Sequence, residues 1–182
     1  MMVSPDVFSC DFEHSCTFQQ VGSDDFDWSV NSGETNTKLT GPNADHTKGN
    51  SSGRYIYIET SKFGSNGISP SKNEGDVAIL RTPTIRVVPG CSYTLIFFYS
   101  MYGRKIGTLG VKMQGSTSYL WSKSGQQIFN GDIWLKTTLS LAILDDQSSF
   151  KLEFEGIRGD GYLGDIAIDD IKVQQKCGKK VY

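Results

Sequence analysis

A chain of 182 residues with 37% hydrophobic and 21% charged content is long enough to bury its own core and most simply forms one domain. Its net charge of −2, with no basic run beyond Lys179-Lys180, lacks the positive field of a nucleic-acid binder and excludes that partner class. No apolar run approaches the ~20 residues that span a bilayer, so direct membrane insertion of this segment is not expected.

The opening Met1-Met2-Val3-Ser4-Pro5 runs into polar sequence without an apolar leader, and the natural polypeptide is expected to continue at both ends. Residues 31–53 are polar and rich in Gly, Pro, Asn and Ser; they read as a long loop, of the kind that is functional or flexible. Short apolar runs rich in β-branched and aromatic residues follow at 55–58, 77–80, 93–101, 108–113, 119–121, 133–144, 150–154 and 166–173. Between them lie turn signals such as Ser65-Asn66-Gly67, Val88-Pro89-Gly90, Lys123-Ser124-Gly125 and Asn130-Gly131-Asp132. Long helical periodicity is missing, and the 20 glycines suit a fold with many tight turns. About eight to ten such strands predict an all-β sandwich or jelly roll.

Individual strands fit two packed layers. Leu109, Val111 and Met113 share one face, and 150–154 alternates apolar with charged residues, as in a sheet with one wet side. Leu95-Ile96-Phe97-Phe98-Tyr99 is apolar on both faces; it is expected to be central, or to carry a partner site if its second face reaches the surface. The closing Ile166-Ala167-Ile168-Asp169-Asp170-Ile171 sets paired carboxylates inside an apolar strand. Buried acids cost free energy unless a cation or several donors meet them.

Four cysteines, at 10, 16, 91 and 177, permit three disulfide pairings. The local one, Cys10 with Cys16, is favoured and leaves Cys91 with Cys177. A four-thiolate zinc site would want closer pairs than this spacing offers. Two disulfides imply an oxidising, extracellular setting. The sequon Asn50-Ser51-Ser52 makes Asn50 a candidate glycosylation site in that setting.

The run Thr40-Gly41-Pro42-Asn43-Ala44-Asp45-His46-Thr47-Lys48-Gly49 closely resembles a hallmark of the MAM domain of meprins, neuropilins and receptor-type tyrosine phosphatases of the mu type. Cys10-Asp11-Phe12-Glu13 and Asp25-Phe26-Asp27-Trp28 resemble the family's opening, and Leu80-Arg81-Thr82-Pro83, Gly107-Thr108-Leu109 and Leu120-Trp121 match further elements in order. The closing Phe154-Glu155-Gly156 completes a resemblance over residues 8–177, within a single domain spanning 1–182. It implies a jelly-roll β-sandwich of two antiparallel sheets, the two disulfides above, and extracellular recognition or adhesion in place of catalysis. Cys91 departs from the pattern. It stands six residues before Phe97, where the family commonly has about three, and an odd shift reverses the sheet face. The strand must start later, or a bulge must restore parity.

Glu13, Asp45 and Asp169 or Asp170, with Asp11 as a further candidate, are drawn from separate segments that meet if the termini run side by side. Hard oxygen ligands of this kind suit a structural Ca2+, or Na+ with fewer charges. The alternative is that Asp45 caps its loop, Glu13 is solvated and Asp169 accepts backbone amides. Enzymatic readings are weaker. His14 and His46 are the two imidazoles, and no G-x-S-x-G nucleophile motif occurs. Glu153 and Glu155 share a strand face as a glycosidase pair would, although alternation favours a solvated face. Arg158-Gly159-Asp160 mimics an integrin ligand but overlaps the fold motif. The expected function is a non-catalytic extracellular interaction module whose partner is a protein, including a second copy in homophilic adhesion. The alternative is a carbohydrate-binding module presenting Trp28, Trp121 or Trp134.

Overall fold

The computed structural model describes residues 5–61, 72–144 and 146–178; the turn signal at 65–67 and the tail Lys179-Lys180 lie outside them. Thirteen strands, all paired antiparallel, make two principal sheets and a small ribbon among these residues. They are β1 (Asp6–Cys10), β2 (Gln19–Gln20), β3 (Ser29–Ser32), β4 (Arg54–Ile58), β5 (Val77–Arg81), β6 (Ile85–Arg86) and β7 (Cys91–Ser100). The rest are β8 (Thr108–Met113), β9 (Trp121–Ser124), β10 (Leu135–Leu141), β11 (Ser149–Phe150), β12 (Leu152–Ile157) and β13 (Ile166–Cys177). One sheet runs β10-β7-β13-β4-β3, with β1 also on β13; the other runs β2-β5-β12-β8-β9; β6 and β11 form the ribbon. The expected jelly-roll sandwich is observed.

The core lies between the sheets. Tyr93, Leu95, Phe97 and Tyr99 of β7 face Leu152 and Phe154 of β12 and Leu109 and Val111 of β8. Phe97 packs edge-on against both Phe154 and Trp121, at centroid distances of 5.3 and 5.2 Å. Trp28 donates its indole N–H to the Ala78 carbonyl at 3.0 Å, which satisfies its one polar atom inside the core. It also lies against Gly156, where a Cβ would press on both Trp28 and Ile58.

The parity question at Cys91 is answered by the partner strand. β7 starts at Cys91 and keeps one face through Tyr93, Leu95 and Phe97, six residues being an even count. The irregularity sits in β13, whose register against β7 slips between Asp169 and Lys172. Before the slip Ile166 and Ile168 point inward; after it Ile171 and Val173 do. The extra residue is accommodated at Asp170, which adopts φ 48°, a left-handed conformation that Asp tolerates better than branched residues. Cys177 then faces Cys91 in register and bonds to it, while Cys10 bonds to Cys16.

Some expectations are corrected. The strand expected at 119–121 begins at Trp121, because Tyr119 folds over Gly110 of the neighbouring strand. Residues 31–53 are no free loop. They lie across the outer face of the six-stranded sheet and bury Thr35, Thr40 and Asp45. Beneath them Tyr55, Tyr57 and Ala167 form a second small core with Trp134. The second face of β7 is covered where the loop reaches it: His46 stacks on Phe98 at 3.5 Å and 19° between planes.

Candidate functional site

Glu13, Asp45 and Asp169 each meet the loop on donors of their own. Asp45 is 2% exposed and caps the loop from within: Oδ2 accepts from the Lys48 amide at 2.7 Å and Oδ1 from the Asn50 amide at 3.2 Å. Gly53 is the residue that permits this, since a Cβ there would collide with the Asp45 carboxylate. Asp169, fully buried, accepts the His46 amide on Oδ2 at 2.9 Å and the Asp170 amide on Oδ1 at 2.7 Å. Burial pushes its carboxyl up to about 7, against the pull of those amides. Asp170 is turned outward by the bulge and meets His46 Nδ1 at 2.5 Å. Asp11 accepts only the nearby Glu13 amide, at 3.1 Å, in the hydrogen bonds described.

Glu13 is neither solvated nor aimed at a shared ion. One oxygen accepts the Arg54 amide at 2.6 Å and the other pairs with the Lys48 ammonium. Lys48 and the Arg54 amide hold its carboxyl below the usual range. A cation therefore does stand at Glu13, supplied by the chain. Among the described residues no group of three His, Cys, Asp or Glu side chains is gathered for a metal. The oxygens of Glu13, Asp45, Asp169 and Asp11 accept instead from backbone amides and, at Glu13, from Lys48.

Other groups at this level were missed in the sequence. Asp165, fully buried, accepts from the Thr60 amide and hydroxyl on Oδ1, both at 2.9 Å, while Oδ2 has no hydrogen-bond partner among the described residues. Burial, and then the Glu59 charge, raise its carboxyl to about 7. On the opposite sheet Glu153 and Glu155 are buried rather than solvated. Arg81 donates from Nε and Nη2 to Glu153 at 2.8 and 2.6 Å, Lys112 pairs with Glu155, and Tyr119 donates its hydroxyl to Glu155 at 2.5 Å. Burial and that carboxylate push the Tyr119 phenol up to about 12. The register of β12 between β5 and β8 places Arg81 and Lys112 on either side of Glu153. Both carboxylates are thus held by cations and a phenol, an arrangement of structural ion pairs.

The Arg158-Gly159-Asp160 triplet is part of the fold. Arg158 is 8% exposed and donates to the Thr60 and Gly159 carbonyls, while Asp160 pairs with Lys105 at 2.7 Å. Of the three tryptophans, Trp28 is buried in the core, Trp121 is half-buried against it, and Trp134, also half-buried, packs on Tyr55 and donates to the Ala44 carbonyl at 3.0 Å.

One end of the sandwich is built differently. Four loops are joined there by backbone hydrogen bonds: Gly41 N to Tyr102 O, Asn43 N to Gly131 O, Gln127 N to Met101 O and Lys105 N to Leu163 O, at 2.9–3.0 Å. From this braced base Leu39, Phe129, Ile133 and Tyr162 project at 65, 85, 44 and 61% exposure.

With that geometry in place, the family described as "MAM domain, meprin/A5/mu" matches residues 10–178. The chain belongs to the MAM family. It is 39% identical over 192 residues to "MAM domain-containing glycosylphosphatidylinositol anchor protein 2" of Homo sapiens, covering 95% of this chain and 18% of that protein. The chain therefore spans about a fifth of the length of that curated relative. Among solved structures, the K3 cleaved adhesin domain of Lys-gingipain from Porphyromonas gingivalis W83 has TM-score 0.59 at 13% identity, covering 93% of this chain and 99% of that one. The CBM22-1-GH10 modules of a Clostridium thermocellum xylanase complexed with xylohexaose have TM-score 0.52 at 13% identity, covering 96% of this chain and 29% of that one. At these identities the structural likenesses speak for the fold alone. As a MAM domain with two cystines, this is an extracellular module.

Proposed function

We propose that this MAM domain is a non-catalytic recognition module of a longer cell-surface protein, and that it binds protein through the loop end that presents Leu39, Phe129, Ile133 and Tyr162. The observation that carries the reading is that these apolar side chains are exposed on loops fixed to one another through their backbones. An apolar surface that is already rigid loses little conformational entropy when covered, which favours docking. Both sheet faces are occupied, one by the loop at 31–53 and the other by the Glu153–Glu155 ion pairs. Family membership supports an adhesive or receptor-assembly role, in which a second copy of the chain is one partner.

Sedimentation velocity over a wide concentration range, alongside binding to a panel of cell-surface ectodomains, tests the proposal. Self-association or ectodomain binding that is lost in a Leu39→Ser/Phe129→Ser variant supports it. A protein that stays monomeric at high concentration and binds no ectodomain overturns it. Binding to a glycan array that survives the double substitution would replace it with the carbohydrate-binding reading.

A further inference from the structure

We propose that Asn50 carries an N-linked oligosaccharide, and that this glycan covers the open edge of the six-stranded sheet. The chain holds one sequon, Asn50-Ser51-Ser52, and all three residues are exposed. The carboxamide is tied to the third residue of its own sequon. Asn50 Oδ1 accepts from the Ser52 amide at 2.8 Å and from the Ser52 hydroxyl at 2.7 Å, while Nδ2 faces outward with one long contact, 3.3 Å, to the Lys48 carbonyl. With both short contacts on the oxygen, the nitrogen is left toward solvent. In the transfer Nδ2 forms a bond to the anomeric carbon of a lipid-pyrophosphate-linked oligosaccharide. The anomeric C–O bond breaks, the lipid pyrophosphate leaves with the electron pair, and the amide proton passes to a base of the transferase.

The attachment point is anchored to the fold. The Asn50 amide is bound by buried Asp45, and Gly53 closes the turn by donating to the Asn50 carbonyl at 3.3 Å. On its other side Ser51 lies against Gly33, whose added Cβ would stand 3.5 Å from that of Ser51. Gly33 directly follows β3, an outermost strand of the sheet, with Val30 58% exposed on it. An unpaired edge of this kind invites another strand, and a bulky hydrated group beside it blocks the approach. Position favours the arrangement at the other end too. The five residues of β4, about 17 Å of strand, separate the Asn50 turn from the Thr60–Tyr162 contact.

The test is secretion of the protein from cultured animal cells, with peptide-N-glycosidase digestion and peptide mass mapping. Glycosidase is expected to shift the wild-type mobility and to convert Asn50 to aspartate. N50Q and S52A are expected to lose the shift, and S52T to keep it. Wild-type protein secreted at bare polypeptide mass overturns the site; because this is read on the wild type, poor secretion of a variant does not cloud it. For the edge, deglycosylated wild type is expected to self-associate or aggregate on concentration, and Val30→Lys to reverse this. Deglycosylated protein that stays as dispersed as the glycosylated form overturns the shielding role.

Discussion

On the outer face of the five-stranded sheet, Glu153 and Glu155 lie under Arg81, Lys112 and Tyr119; on the six-stranded sheet, Asp165 meets the amide and hydroxyl of Thr60 and Asp169 the amides of His46 and Asp170, in place of cations. Glu153, Glu155 and Asp169 occupy strand positions, and Asp165 directly precedes β13. The first pair meets counter-charges that register brings across from the neighbouring strands. The second pair is desolvated with no counter-charge in hydrogen-bond reach among the described residues, and its carboxyls rise to about 7. Burying an acid under cations makes a site that depends on its partners, whereas burying it under backbone makes one that depends on the proton.

The largest effect should come from breaking the first arrangement. Arg81→Met leaves Glu153 with only the 3.9 Å approach of Lys112. It is expected to cost about 3–5 kcal/mol in denaturant unfolding, the penalty for an uncompensated buried charge. A loss below about 1 kcal/mol would mean that the face is wetter than described.

Acidity should act on the second arrangement. A folded-state carboxyl near 7 lies above its unfolded value of about 3.9, so the folded protein holds the extra proton between them. Stability should therefore fall as pH rises through that window and level off above 7, by at most ~4 kcal/mol for each group. Unfolding measured at pH 5 and pH 8 should show the difference, and Asp165→Asn should shrink it. Glu13 and Asp160, whose carboxyls are lowered, contribute in the opposite sense at more acidic pH and are lost there as pH falls through their folded values.

These two faces were unequally legible in the sequence. Alternation in 108–113 and 150–154 found β8 and β12, and the buried carboxylates of β13 were visible as a problem needing a solution. The solution to Asp169 was visible only as an alternative, since amides of His46 and Asp170 become donors once the loop and the bulge have formed. Glu153 and Glu155 were misjudged because local periodicity cannot show that Arg81 and Lys112 are in cross-strand register. Lys48 went unnoticed as the partner of Glu13, 35 residues earlier, for the same reason. Strands β1 and β3 escaped because edge strands such as Ser29-Val30-Asn31-Ser32 carry little apolar signal.

Smaller perturbations refine the contrast. Tyr119→Phe removes one charge-assisted hydrogen bond to Glu155 and should cost about 1–2 kcal/mol, with Lys112 still in place. Asp170→Asn should cost no more than ~0.5 kcal/mol by thermal melting, because Asn shares the tolerance for φ 48° and keeps an oxygen toward His46. Smallest of all should be the response to calcium or a chelator. With Lys48 on Glu13 and amides on Asp45 and Asp169, neither is expected to move the melting curve. A clear rise with calcium would show that the ion displaces the ammonium and gathers those acids after all.

β13 lies between β7 and β4 and also takes β1, yet it is the last of the thirteen strands to be synthesised. A ribosome delivers β1, β4 and β7 long before the strand that joins them exists. Until then only the β3–β4 and β7–β10 pairs of that sheet can form. Assembly of this half of the domain must wait for the final segment to emerge, so the nascent chain spends its synthesis with apolar strands open to chaperones, and a stop or delay anywhere before residue 166 leaves it unfinished.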